Sequence, residues 1–109
     1  MNRQAQGILM QFKERLESRL DADLVSIICF GSYARNEETP ESDLDVLVVV
    51  ARKNKMVEDL VREQAYAVMW DHDFKPLLSV KIFSAEEWGQ LGQLGTSFYE
   101  GLQTEGIGV

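Results

Sequence analysis

The sequence predicts an α+β fold in which helices pack on a small β-sheet. Two stretches carry apolar residues at helical spacing, three short runs are apolar and β-branched, and one of these, Leu44 to Val50, is apolar on both faces beyond Asp45. A strand apolar on both sides has to be covered on both sides, which calls for helices packed against the sheet. With 109 residues, 45% of them hydrophobic and 27% charged, the chain has the balance of an ordinary globular protein and is expected to form one domain over 1–109. Any active site must then be assembled from that single core.

Ala5, Ile8, Leu9, Phe12, Leu16 and Leu20 recur at steps of three and four, so the first element is an amphipathic helix that stops near Asp21. Leu24 to Phe30 is a short buried strand running into a turn at Gly31. The polar loop from Asn36 to Ser42 holds Pro40 and leads into the central strand, Leu44 to Val50. Val57, Leu60, Val61, Ala65 and Val68 form a second helical stripe, with Glu58, Asp59, Arg62 and Glu63 on its wet face. A loop around Asp71-His72-Asp73 precedes a third strand, Leu77 to Phe83. Ser84 with Glu87 three positions on reads as a capping box opening a last helix, which Gly89, Gly92 and Gly95 keep short. The tail from Phe98 to Val109 is compatible with loose packing or with a brief continuation as a helix and strand, and its glycines leave it without an assignment. Cys29 falls inside the first strand and is expected to be a buried small hydrophobe, while Trp70, Trp88 and Phe98 are expected to fill the core or a partner interface.

Chemistry concentrates in Gly31-Ser32-Tyr33-Ala34-Arg35 and in Ser42-Asp43-Leu44-Asp45. Residues two apart on a strand share a face about 6 to 7 Å from each other, so Asp43 and Asp45 point the same way. At an effective dielectric of about 20, two carboxylates at that distance repel by roughly 2 to 3 kcal/mol, and a nearby cation is needed to keep both ionised. Mg²⁺ suits them, because it takes one or two carboxylates and completes its shell with water and phosphate oxygens. Gly31 at a strand end lets backbone N–H groups approach an anion, Ser32 adds a hydroxyl, and Arg35 either reaches the phosphates or neutralises Glu37 and Glu38. His72, lying between two aspartates in a loop, is read as a surface or packing residue and left out of the site.

GSYAR followed by ESDLDVLVVV resembles the nucleotidyltransferase superfamily of the polymerase-beta type, in particular the minimal nucleotidyltransferases, small proteins often encoded beside a HEPN-domain partner. The resemblance implies a mixed sheet flanked by helices, two-metal catalysis, and transfer of a nucleoside monophosphate, AMP from ATP, to a hydroxyl. It implies that Gly31 and Ser32 hold the triphosphate and that Asp43 and Asp45 hold the metals. It also implies an antitoxin that modifies a Tyr or similar hydroxyl of a HEPN partner, although small antibiotics are the acceptors in related proteins. The chain departs from the family in one respect: a third carboxylate is usual on the next strand, and Leu77-Leu78-Ser79-Val80-Lys81-Ile82 contains none. Ser79 and Lys81 share the face where that acid would stand. Asp71 or Asp73 could take its place only if the loop before the strand folds over the site.

The net charge of −7 argues against free nucleic acid as a partner, since affinity for phosphate backbones comes from clustered Lys and Arg. No apolar stretch reaches the roughly 18 residues of a membrane span and no leader pattern opens the chain, so a cytoplasmic protein is expected. Two other classes compete with a working enzyme: an interaction module that keeps the fold without turnover, and a substrate-recognition subunit of a larger transferase. A homo-oligomer is compatible with all three.

Overall fold

The computed structural model describes Met1–Val109. Helix α1 spans Arg3–Leu20; the Asn2 side chain accepts a hydrogen bond from the Ala5 N–H at 2.7 Å, and all six stripe residues are buried. Asp21, at φ +48°, breaks the helix, and a single 3-10 turn, Asp21–Asp23, leads into β1, Leu24–Phe30. Strand β2, Leu44–Val50, pairs antiparallel with β1, Phe30 facing Asp45 and Leu24 facing Val50. Helix α2, Lys55–Asp71, is capped by Asn54 and carries the chain over to β3, Leu78–Ser84, which runs parallel to β2 as such a crossover requires. The sheet is therefore mixed, in agreement with the expectation, and β2 lies inside it with Leu44 and Val46 to Val50 fully buried.

Alternation along the strands divides the core in two. Cys29, Val46, Val48 and Ile82 pack with the apolar stripes of α1 and α2 in the larger cluster. Leu47 and Val49 point to the opposite face, where Phe83, Trp88, Phe98 and Leu102 meet them. That second face is covered by α3, Ala85–Leu94, and α4, Ser97–Glu105. The capping box at the start of α3 is formed as expected, and Gly95 ends the helix in the left-handed conformation at φ +60°.

Three expectations change. The third strand begins and ends one residue later than the apolar run, with Ser84 serving both as its last residue and as the helix cap. The helix opened by Ser84 is not the last one: the unassigned tail forms α4, capped by Thr96, and then β4, Ile107–Gly108, which adds to the free edge of β1. Of the two roles expected for Trp70, core or partner interface, the structure rules out the core: the side chain is 65% exposed and clusters with Tyr66 and Phe74 on the outside of α2 and its following turn.

Candidate active site

The candidate site forms where β1 ends and β2 begins. Antiparallel pairing sets Phe30 against Asp45, so the loop of residues 31–43 leaves and returns at one edge of the same strand pair. Gly31 turns out of β1 at φ +77°, a conformation that side chains resist. Its hydrogen side faces the aspartate: a Cβ at this position would run into Asp45 Oδ2 and lie 3.2 Å from Asp45 Cγ. The turn and the carboxylate are thus in contact, with no room between them for a larger residue at position 31. Residues 31–36 wind into one helical turn, closed by Arg35 N–H to Gly31 O at 3.2 Å and Glu37 N–H to Ser32 O at 2.9 Å, bonds that leave the N–H groups of Ser32, Tyr33 and Ala34 unused.

Asp45 is half-buried on the face shared with Leu47 and Val49, whereas Asp43 stands exposed just ahead of β2. Burial raises the Asp45 pKa above the ordinary carboxylate value and the negative charge of Asp43 raises it further. Lys81, the Ser79 hydroxyl and Arg35 act the other way. These effects make Asp45 a carboxylate that favours a cation. The parallel register places Ser79 directly beside Asp45 and Lys81 beside Leu47, on the same face.

Asp71 takes no part in this group, because it accepts a hydrogen bond from Gln11 Nε2 at 2.8 Å and is committed to α1. His72 bonds the same glutamine, Nε2 to Oε1 at 2.9 Å, which is the packing role expected for it. No three His, Cys, Asp or Glu side chains come together anywhere in the chain. The donor set that exists, two carboxylates beside a turn with free N–H groups, fits a divalent ion that draws the rest of its shell from water and phosphate.

Arg35 is engaged on both sides, its Nε 3.5 Å from Glu37 Oε1 and its Nη1 3.6 Å from Glu105 Oε2; Glu38 is not its partner. The side chain remains 40% exposed, so these are screened, exchangeable contacts rather than a fixed pair. Between the turn and α4 lies an open cleft of about 240 Å³, bordered by Phe30, Gly31 and Arg35 on one side and Phe98, Gly101 and Glu105 on the other. The sequence reading allowed a helix here without assigning it. Thr96, three residues before Tyr99 whose N–H it accepts at 3.2 Å, and the Phe98–Leu102 spacing were the signals for a helix there. Nothing local pointed to Glu105.

The sequence model of the nucleotidyltransferase domain matches residues 9–90, 82 of the 109 residues, from within α1 into α3. Along most of its length the chain is similar to a Methanocaldococcus jannaschii protein, "Putative protein adenylyltransferase MJ0141", at 29% identity over 94% of this chain and 95% of that one. A second protein of that designation and organism, MJ1305, is 36% identical over 55% of this chain, but the chain spans only 46% of it. Among solved structures, the MntA-HpeT toxin-antitoxin mutant superimposes at a TM-score of 0.53 with 16% identity, covering 99% of this chain and 72% of that one. "A putative nucleotidyltransferase from Sulfolobus solfataricus" gives 0.52 with 15% identity, covering 99% of this chain and 87% of that one. At such identities the structures speak for the fold alone, and the fold agrees with the sequence match. The chain belongs to the nucleotidyltransferase domain family and is a minimal nucleotidyltransferase of the polymerase-beta-type superfamily.

Proposed function

We propose that this chain, acting as one minimal domain, transfers AMP from ATP to a hydroxyl on a partner protein, and that Asp43 and Asp45 hold Mg²⁺ while Gly31, Ser32 and Arg35 bind the triphosphate. The observation that carries the proposal is the contact between the Gly31 turn and the Asp45 carboxylate, which sets amide donors and a cation-seeking group side by side. Mg²⁺ at the two carboxylates would neutralise phosphate charge and polarise the α-phosphorus. The turn's N–H groups and the Ser32 hydroxyl orient the phosphate tail, and Arg35, on leaving Glu37 and Glu105, adds a cation to it. The acceptor oxygen attacks the α-phosphorus in line, its proton passes to solvent, the bond from the α-phosphorus to the bridging oxygen breaks, and pyrophosphate leaves.

Protein adenylyltransferase is the designation of relatives matched over both whole and partial lengths, and this supports a protein acceptor. The structural neighbours include a toxin-antitoxin complex with AMP-PNP, which supports ATP as donor and a toxin as partner; the HEPN type of that partner comes from the sequence resemblance alone. The test is transfer of label from [α-³²P]ATP, with Mg²⁺, to the product of the adjacent gene. Label on the partner that disappears with Asp43→Asn is expected; absence of label, with wild type and Asp43→Asn alike, would end this reading. One observation favours a second reading, an interaction module without turnover: Ser79 and Lys81 stand where an acid is usual. It predicts a partner complex indifferent to ATP, Mg²⁺ and Asp45→Asn.

A further inference from the structure

Lys81 is a basic side chain that the proposed chemistry leaves without a task. It is exposed on β3, on the face of the sheet that carries Asp45, and the four ion pairs of the chain use Arg35, Lys53 and Lys55 instead. Its register partner is Leu47, so its Cα lies one strand across and two residues along from Asp45, roughly 8 Å away by strand spacing and rise. A lysine stem spans most of that distance. Lys81 and Ser79 share the strand face on which the sequence resemblance implies a third carboxylate, and of the two only Lys81 carries a charge.

Charge balance indicates what the substitution does. Three carboxylates with two divalent ions total +1. Two carboxylates, one ammonium and one divalent ion also total +1, with no other residue changed. We propose that the Lys81 ammonium stands in for the second metal ion, so that the site binds its nucleoside triphosphate with a single divalent cation at Asp43 and Asp45 and with Lys81 as a direct phosphate ligand. This rests on the nucleotide-binding reading above and adds the number of metals and a residue to it. The absence of any third acid in reach is then a matched change and not a lost part. Ser79, beside Asp45, contributes a neutral hydroxyl and completes the polar face.

The test is a titration of the full chain with α,β-methylene-ATP, a donor analogue that cannot release pyrophosphate, with Mn²⁺ counted by electron paramagnetic resonance and affinity measured by calorimetry. Wild type is expected to bind one Mn²⁺ per chain with the analogue. Lys81→Met should weaken the analogue about tenfold or more, Lys81→Arg should restore most of the affinity, and Lys81→Asp should take up a second Mn²⁺. Thermal melts of each variant establish that it is folded, and an exposed edge-strand position tolerates all three changes. Two Mn²⁺ per chain in wild type, or unchanged affinity in folded Lys81→Met, overturns the inference while leaving nucleotide binding intact. Failure of wild type to bind the analogue at all overturns the nucleotide-binding reading itself, and the inference with it.

Discussion

Replacing Gly31 by alanine tests the contact on which the site is built. Alanine at φ +77° costs about 1 to 2 kcal/mol through its own backbone. The added methyl also collides with the Asp45 carboxylate, and forcing extra volume into an occupied position costs roughly 1 to 3 kcal/mol more. The sum, about 3 kcal/mol, corresponds in a domain of this size to a fall in Tm of roughly 10 to 20 °C. Gly95 provides the control, because its φ is +60° and a Cβ there meets nothing within 4 Å. Gly95→Ala should therefore show the backbone cost alone, about 1 kcal/mol and roughly 4 to 8 °C. The collision can also be removed from the other side: in Gly31→Ala with Asp45→Ala the two changes should couple by about 1 to 3 kcal/mol, the double variant being more stable than the singles add up to. Circular dichroism melts in metal-free buffer measure all four proteins. If Gly31→Ala melts no lower than Gly95→Ala, or if Asp45→Ala rescues nothing, the turn and the aspartate are not in contact and the reasoning fails.

Asp45→Asn should stabilise the metal-free protein by a few tenths to about 1 kcal/mol, since it removes a half-buried charge repelled by Asp43, while abolishing any stabilisation by Mg²⁺ with an ATP analogue. The same raised pKa fixes a pH dependence: between the unfolded value near 3.8 and the higher folded value the native state holds more protons, so this residue's contribution to metal-free stability falls as pH rises through that window, and melts of wild type against Asp45→Asn should converge at the acid end. Cys29 is fully buried with its pKa pushed up to about 11, first by burial and then by Asp45, so a thiol reagent at pH 8 should modify it only in denaturant. Ser84→Ala removes one half of the capping box and should cost about 1 kcal/mol in a denaturant titration. Glu87, whose pKa is lowered by its contacts with Lys53 and the Ser84 N–H, contributes stability above its unfolded value of 4.5 that is lost as pH falls through the lower folded one, and Glu87→Gln should flatten that small acid limb.

Much of this was legible because the local signals agreed with one another. Leu24–Phe30 and Leu44–Val50 match the apolar runs residue for residue, since a glycine ends one and an aspartate pair opens the other. Strand alternation marked Ser79 and Lys81 as sharing a face, and the register sets them on the face of Asp45; Asp43 precedes the strand, so alternation does not reach it. Alternation could not show which helices cover that face: α4 lies in a segment where Gly95, Gly101 and Gly106 mask a period carried by only Phe98 and Leu102. Glu105 meets Arg35 across 70 residues of chain, a pairing created only when α4 packs beside the turn. The commitment of Asp71 to Gln11 was hidden for the same reason. The core role offered for Trp70 fails because the α2 stripe of Val61, Ala65 and Val68 already fills the core side, leaving Tyr66 and Trp70 on the outer one.

The claim beneath the whole account is that the Gly31 turn and the two aspartates bind one metal–triphosphate unit together. Calorimetric titration of the wild-type chain with a non-hydrolysable ATP analogue, with and without Mg²⁺, and of Asp43→Asn and Asp45→Asn, tests it most directly. The account predicts binding that needs Mg²⁺ and is lost in both variants; analogue binding that is equally tight without the metal and in both variants would contradict it.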